Sequence, residues 1–389
     1  MNPQTLYCPH PCLDIKALFR RRVSSWENEI KSQRLLLYTH KGRCGLGQLC
    51  KIWKIKTGDE ILVPAYNCGT EIDPFIHYGL SVIFYSVDRD AKIDIENLLQ
   101  RVTSKTRAIY VTHYFGWPQD LSHLSEYCQK NHIYLVEDCA LSLFSAPKGC
   151  LLGLSGDAAI YSFPKTLPVP DGGALTLLSD THLKESFPIP PLTRKIIRGM
   201  LPFLKRAVLR LSDKIGLFSY LPHKFTGLRL SCDKISTLIT QGLPEIPSSY
   251  YYDPSIQDMT ASVVTRYFVK HTDSRQVITQ RRQNYLQLLD ALADSKFFRP
   301  LFLTLPEGVC PLFFPVIVEN REIICNQLNM RGIAAIQWWS GFHRDFSWKF
   351  FSEAQYLKEH VLALPIHQQL TFKDISYMIH EIQQFNPEN

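Results

Sequence analysis

The sequence predicts an α/β fold built on a mostly parallel mixed sheet, followed by a smaller C-terminal α/β domain. Short apolar runs alternate with helical patterns from about residue 57 to residue 136. This alternation is typical of parallel strands joined by right-handed crossovers. In addition, His113, Asp138 and Lys165 each follow an apolar run. Ligands of such sheets bind at the carboxyl ends of the strands, so we expect these three side chains at one edge of the sheet.

The individual elements follow from the spacing of apolar residues. Runs that predict strands in the large sheet lie at 35–38, 61–64, 81–85, 107–111, 133–136 and 157–163. Helical patterns lie at about 46–53, 95–102 and 121–131, and a long helical stretch spans about 260–292. The C-terminal part carries a strand at 313–318 and helices at 321–330 and 372–384. We predict a lead-in at 1–30, a large domain at 31–260, and a bridging helix with a small domain at 261–389.

Composition narrows the class of protein. A chain of 389 residues with 45% hydrophobic and 20% charged residues is ordinary for a soluble globular protein. No apolar run reaches the length of a spanning helix, and the N-terminus lacks the apolar core of a secretory signal. Eleven scattered cysteines favour reduced thiols and a cytoplasmic location. The corner Cys8, His10 and Cys12 lacks a second ligand pair, so we predict no metal site.

A basic insertion is predicted at about 187–250. Between residues 194 and 214, seven Lys or Arg residues accompany one Asp, with apolar residues interspersed. Such a segment packs on its own protein or on a dimer partner, or lies on an anionic membrane surface, and both interpretations stay open. The net charge of +7 suits an anionic ligand without identifying one. No zinc finger, RNP-like motif or aromatic-interleaved basic stripe indicates nucleic acid.

A carboxylate and a lysine at neighbouring strand ends indicate cofactor chemistry. Lys165 follows Ser162 by three residues and precedes the pair Gly172–Gly173. A lysine so placed can form an imine, Asp138 can hold a pyridine nitrogen protonated, and Ser162 can bind a phosphate. These are the requirements of pyridoxal 5′-phosphate (PLP). The alternatives are a surface lysine and an exposed loop aspartate, and the position between an apolar strand and a glycine turn favours the chemical role.

A glycine turn at Gly42 and Arg43 is the second candidate for contact with the phosphate. It joins the strand at 35–38 to a helix, and a helix N-terminus offers unpaired N–H groups and a favourable dipole to an anion. Arg43 could also hold a phosphate in a bidentate manner, or it could be an ordinary solvated arginine. Tyr66, just after the strand at 61–64, is either a ring that stacks on the cofactor or a core residue.

The sequence resembles the DegT/DnrJ/EryC1/StrS aminotransferases, which are PLP enzymes that aminate keto-sugars on nucleotide carriers. The matching segments are Thr57–Pro64, His113–Gly116, Val136–Ala140, Gly156–Phe163, Lys165 with Gly172–Gly173, and Leu364–His367. The resemblance implies the aspartate-aminotransferase-like fold, fold type I, and a homodimer. It implies a PLP site formed by Lys165, Asp138, Ser162, Gly42, Arg43, Tyr66 and Ala140.

The resemblance implies transfer of an amino group from a donor such as glutamate to a nucleotide-linked keto-sugar, in cell-surface polysaccharide or secondary-metabolite biosynthesis. The retained Lys165 argues against the dehydratases of the family, which replace that lysine. Three departures predict a divergent branch. Ala140-Leu141-Ser142 stands where the family usually has a Gln or His, Lys165 lies closer to Ser162 than the commonest family spacing, and Asp171 replaces a glutamate. In addition, Lys41, Gly42 and Arg43 stand where the family has Ser-Gly-Thr, and Cys68 stands near the usual aromatic.

Two alternatives remain. One is a catalytically silent protein with the PLP fold that binds or regulates a partner. The other is an aminotransferase at a membrane surface that acts on a lipid-linked substrate.

Overall fold

The larger sheet has seven strands in the order β1-β7-β6-β5-β4-β2-β3. The computed structural model describes residues 10–12, 25–178, 196–201, 203–204 and 245–385. The strands are β1 (Arg34–Thr39), β2 (Glu60–Pro64), β3 (Ser81–Tyr85), β4 (Thr106–Thr112), β5 (Tyr134–Asp138), β6 (Ala158–Ser162) and β7 (Gly173–Leu178). Strands β6, β5, β4, β2 and β3 run parallel, whereas β7 is antiparallel to β1 and β6. The predicted mostly parallel mixed sheet is confirmed.

Five helices connect or precede these strands. They are α1 (Ser25–Gln33), α2 (Gly42–Ile52), α3 (Asp73–His77), α4 (Ile95–Gln100) and α5 (Ser122–Lys130). The continuous apolar run of β2 is explained by burial, because Ile61, Leu62 and Val63 are each at most 1% exposed. Strands covered on both faces show such runs instead of alternation.

A second, four-stranded sheet lies in the C-terminal part, in the order β10-β11-β9-β8 with antiparallel pairing. Its strands are β8 (Arg299–Pro300), β9 (Phe314–Ile317), β10 (Ile336–Gln337) and β11 (Val361–Leu364). The accompanying helices are α8 (Arg321–Met330), α9 (Ser352–His360) and α10 (Phe372–Gln383). Helix α10 begins with a capping box formed by Thr371 and Asp374. The exact domain boundaries stay a prediction.

Two helices link the sheets where the sequence predicted one long helical stretch. They are α6 (Val263–His271) and α7 (Ser274–Ala291). The break has a local cause, since the Asp273 side chain accepts a hydrogen bond from the N–H of Gln276 and so caps α7. An Asp side chain that bonds a nearby backbone N–H favours a non-helical backbone at its own position, and it stabilises the first turn of the helix that follows.

Two features outside the strands support the edge of the large sheet. Trp26 of α1, within the predicted lead-in, is 1% exposed and packs edge-to-face on Tyr161 and Phe163, with ring centroids 5.1 and 5.6 Å away. A loop ahead of β9 also packs on the large sheet at Gly116, whose φ is +108°. A Cβ on Gly116 would lie only 2.4 Å from the carbonyl oxygen of Cys310, so glycine is required there.

Candidate active site

The carboxyl ends of β5 and β6 place Asp138 and Lys165 near each other. Asp138 is the last residue of β5 and pairs in register with Ile160 of β6. Lys165 closes the short 3₁₀ turn Phe163–Lys165, which follows β6 directly. Burial raises the pKa of the Asp138 carboxyl, and the positive charge of Lys165 opposes this rise, as expected for neighbouring charges.

The ionised form of the Asp138 carboxyl is disfavoured by its surroundings. Its side chain is buried, and burial raises its pKa above the ordinary value although Lys165 opposes the shift. The carboxylate of Glu71 adds to the rise. One oxygen of Asp138 accepts the N–H of Ala140 at 2.8 Å, which fixes the orientation of the carboxyl group. A buried carboxylate so placed favours a cationic partner.

The start of α2 meets the ends of β6 and β7 beside this pair. Lys41 is extended and provides no side-chain cap for α2. Gly42 and Gly173 approach so closely that a Cβ on Gly173 would lie 2.6 Å from the amide nitrogen of Gly42. Ser162, the last residue of β6 and half-buried, ends at the same place. Backbone N–H groups and a hydroxyl are therefore brought together at an uncapped helix N-terminus, which suits an anion.

Arg43 and Tyr66 have other contacts than the helix start at Gly42 and the hydroxyl of Ser162. Arg43 is half-buried, and its Nη1 donates to the carbonyl oxygen of Tyr250 at 2.7 Å. Tyr66 is fully buried, and its ring packs against Tyr114 at 5.3 Å and Trp339 at 5.1 Å between centroids. Tyr66 thus contacts a residue of the C-terminal part, and its role as a ring that stacks on a cofactor stays a prediction.

Two polar residues after β2 act on the charges of Asp138 and Lys165, and they were not predicted as site residues from the sequence. The Cys68 thiol donates to Glu71 Oε2 at 2.7 Å, and the Cys68 amide donates to Glu71 Oε1 at 2.9 Å. Burial raises the pKa of the Cys68 thiol to about 12, with Glu71 adding to the rise and Lys165 opposing it. Local sequence carries no signal for this, because a polar Cys-Gly-Thr-Glu loop is equally typical of solvent exposure.

A buried lysine of helix α9 holds this loop in place. Lys358 of α9 is fully buried, and its Nζ donates to the carbonyl oxygens of Asn67 at 2.6 Å and Gly341 at 2.8 Å. Burial lowers the pKa of Lys358 to about 8. The position of the Cys68–Glu71 loop therefore depends on α9 as well as on β2.

Glu137 and His113, next to the candidate site, form a saturated buried pair. His113 Nε2 lies 2.9 Å from Glu137 Oε2, and His113 Nδ1 accepts the N–H of Gln119 at 3.0 Å. Nε2 therefore carries the proton and donates to Glu137. With Cys139, these side chains place three ligand-type atoms within 4.8 Å of one another. The His113 ring nitrogens are both engaged, so we interpret the group as a structural pair.

Asp171 anchors the turn between Lys165 and β7. Its Oδ1 accepts hydrogen bonds from the Ser262 hydroxyl at 2.9 Å and the Thr265 hydroxyl at 2.6 Å. Burial acts to raise the pKa of Asp171, but His40 and these donors outweigh it, and the pKa falls below its ordinary value. The residue that departs from the family pattern therefore ties the turn to α6.

One residue of the N-terminal corner Cys8, His10 and Cys12 has a described hydrogen bond. Cys12 is buried, and its Sγ donates to Gln369 Oε1 at 3.0 Å. Cys8 lies outside the described residues.

The donor set fits PLP. A buried carboxylate suits a protonated pyridine nitrogen, a half-buried amine suits an aldehyde, and an uncapped helix start beside Ser162 suits a phosphate. A mixed seven-stranded sheet with these groups at its carboxyl edge defines the PLP-dependent transferases of fold type I. Residues 39–188 match the family described as the DegT/DnrJ/EryC1/StrS aminotransferase family. The match spans less than half of the chain, which is similar to this family over that segment.

Known proteins with similar sequences align over part of the chain. The GDP-perosamine synthase of Vibrio cholerae is 28% identical over 129 residues, which are 32% of this chain and 35% of that protein. The GDP-4-keto-6-deoxy-D-mannose 3-dehydratase of Yersinia pseudotuberculosis is 30% identical over 125 residues, 31% and 32% of the two chains. The aligned stretch thus spans about a third of these relatives.

Solved structures align over nearly the whole chain. The PLP-form of Spr1654 from Streptococcus pneumoniae has a TM-score of 0.69 and 16% identity, and the match covers 97% of each chain. At this identity the likeness establishes the fold alone. Among the described residues, the helices are too short or too polar to cross a membrane.

Proposed function

We propose that the protein is a PLP-dependent aminotransferase that moves an amino group from an amino-acid donor, such as glutamate, to a nucleotide-linked keto-sugar. The observation that carries the proposal is the position of Asp138 and Lys165 at the carboxyl ends of the neighbouring strands β5 and β6. Related proteins named as sugar-modifying enzymes support the substrate class. The proposed pathway is the synthesis of a cell-surface polysaccharide or a secondary metabolite.

Each residue of the site has a proposed role. When bound, PLP supplies an electron sink for the carbon that loses a proton. Asp138, oriented by the N–H of Ala140, would hold the proton on the pyridine nitrogen. Lys165 Nζ would hold the cofactor covalently and carry the proton between donor and acceptor carbons. Ser162 and the N–H groups at Gly42 and Arg43 would hold the phosphate.

The absorption spectrum of the protein with added PLP tests this proposal. Wild type should show a visible band that glutamate bleaches, whereas Lys165→Ala should show neither the band nor the bleaching. Free PLP at the same concentration is the control for unbound cofactor. A wild type that stays colourless with PLP would exclude the enzyme and favour the silent PLP-fold protein.

A dehydratase is distinguished by the fate of the amino group. The relative from Yersinia pseudotuberculosis is named a 3-dehydratase, and the resemblance implies that such enzymes replace the lysine that Lys165 provides here. Bleaching by glutamate, with release of 2-oxoglutarate in one equivalent per site, would support the aminotransferase. A protein that binds PLP without releasing 2-oxoglutarate from any amino acid would contradict it.

A membrane-surface aminotransferase is the second candidate, and one observation favours it. Residues 196–201 and 203–204 are helical, and Ile197, Leu201 and Leu204 are 59%, 55% and 47% exposed along one helix face. These apolar groups lie within the basic stretch at 194–214. Salt-sensitive binding to anionic vesicles, lost when Arg198, Lys205 and Arg206 are neutralised, would support it, and a lack of vesicle binding would exclude it.

The cytoplasmic location and the homodimer stay predictions. Fractionation of cells that produce the protein tests the first. Light scattering of the purified protein tests the second.

A further inference from the structure

A buried arginine on α7 reaches the turn that carries Lys165. Arg281 is 1% exposed, and its Nη2 donates to the carbonyl oxygen of Thr166 at 3.4 Å. Thr166 directly follows Lys165. The same guanidinium donates to Gln368 Oε1 at 2.9 Å and to the carbonyl oxygen of Leu312 at 2.7 Å. Arg281 thus joins the lysine turn to two loops of the C-terminal part.

Gln368 completes this junction. Its Nε2 donates to the carbonyl oxygen of Thr166 at 3.1 Å, so that one oxygen receives both Gln368 and Arg281. The amide of Thr166 donates to the carbonyl oxygen of Phe163 at 3.0 Å, which closes the turn around Lys165. The turn is therefore stabilised by a backbone hydrogen bond within it and by hydrogen bonds from two side chains of other elements.

A neutral side chain on α7 is sufficient to hold the C-terminal loop. One helical turn further along α7, the neutral amide of Asn284 holds the same C-terminal loop by donating to the carbonyl oxygens of Ile366, His367 and Leu370 at 3.2–3.3 Å. Arg281 is buried among neutral oxygens, and burial lowers its pKa to about 10, so it stays charged at neutral pH. A buried charge of this kind costs stability, and the longer reach to Thr166 is what the guanidinium adds.

We propose that Arg281, together with Gln368, is a positioning residue for Lys165, and this proposal rests on the proposed function. By fixing the carbonyl of Thr166, the two side chains set the direction in which the Lys165 amine leaves the turn. Displacement of a reacting group by about 1 Å can cost about 100-fold in rate, so a small loosening of this turn matters. The same contact makes the lysine turn sensitive to the position of the C-terminal loops.

The chain supplies a matched control in the next residue. Arg282 Nη1 donates to the carbonyl oxygens of Pro306 and Val309 at 2.6 and 2.9 Å, in the loop that Arg281 also contacts. Arg282 has no hydrogen bond to Thr166 among the described contacts. Arg281→Met and Arg282→Met therefore both loosen the 306–312 loop, but only the first removes a donor from the lysine turn.

Hydrogen exchange of the cofactor-free protein is the first test. The amides of Thr166 and Leu167 both donate to the carbonyl oxygen of Phe163 and report on the closed turn. We expect exchange in this peptide to become about tenfold faster in Arg281→Met and to stay at the wild-type rate in Arg282→Met. Equal exchange in the two variants would overturn the proposal.

The second test is the rate at which PLP becomes trapped on Lys165 by borohydride, read by peptide mass. It should fall at least tenfold in Arg281→Met and stay within about twofold of wild type in Arg282→Met. If Arg281→Met does not fold, Gln368→Leu answers the same question, and wild-type exchange and trapping in that variant would overturn the proposal. If wild type itself traps no PLP on Lys165, the proposed function fails, whereas the exchange result still decides the role of Arg281.

Discussion

Glu137 and Asp138 are consecutive residues of β5, yet their surroundings are opposite. Successive side chains of a strand point to opposite faces of the sheet, so the two carboxylates never share partners. Glu137 accepts hydrogen bonds from His113 and from the backbone N–H groups of Gly153, Ser155 and Gly156, at 2.6–3.0 Å. Asp138 accepts the N–H of Ala140 and faces the charge of Lys165.

The two pKa values move in opposite directions for this reason. Burial acts to raise the pKa of Glu137, but the hydrogen bond from His113 and the backbone donors outweigh it, and the pKa falls. Burial raises the pKa of Asp138, and the opposing effect of Lys165 does not cancel it. A carboxylate with four hydrogen-bond donors holds structure together, and one with fewer donors beside a lysine retains the capacity to bind a cation.

The strongest test of this contrast is Asp138→Asn. We expect the rate of the half-reaction with glutamate to fall by about 100- to 1,000-fold, because the amide does not stabilise a protonated pyridine nitrogen. The free energy of unfolding of the cofactor-free protein should stay equal or rise slightly, since an ionised buried carboxylate is removed. Stopped-flow bleaching and urea unfolding measure the two quantities. A wild-type rate in this variant would remove Asp138 from the site.

Glu137→Gln should show the converse pattern. The substitution replaces one carboxylate oxygen by an NH2 group that cannot accept a hydrogen bond from the surrounding donors, and leaving buried donors unsatisfied costs about 3 kcal/mol of unfolding free energy. The half-reaction rate per folded molecule should change by less than about threefold, because Glu137 points away from Lys165. Urea unfolding of both variants side by side gives the comparison. A larger loss of rate than in Asp138→Asn would contradict the assignment of roles.

The pH dependence of the unfolding free energy is the smallest expected effect, but its direction differs between the two carboxylates. The folded pKa of Glu137 lies below its unfolded value, so its contribution to stability is present above about pH 4.5 and is lost as the pH falls through the folded pKa. The folded pKa of Asp138 lies above its unfolded value, so its contribution is present below about pH 3.8 and is lost as the pH rises through the folded pKa. The unfolding free energy of wild type relative to each variant should therefore change with pH in opposite directions. Equal slopes would show that the two carboxylates share one environment.

The local pattern of the sequence determined the fold class and the candidate lysine and aspartate. Strand and helix alternation depends on the spacing of apolar residues, and the strand ends could be read directly at Asp138 and Ser162. The resemblance added the expected family and substrate class. The single predicted helix at 260–292 was wrong in detail, because the cap at Asp273 divides it into α6 and α7.

Tertiary structure alone decided which polar residues share the site and which support it. Glu71 lies 67 positions before Asp138 in the chain, and Arg281 lies 115 positions after Thr166, so no local spacing links either pair. Glu137 and Asp138 likewise look equivalent in the sequence, as an acidic pair at the end of an apolar run. Their difference arises from the partners that each face of the sheet brings to them, and burial turns those partners into opposite shifts of pKa.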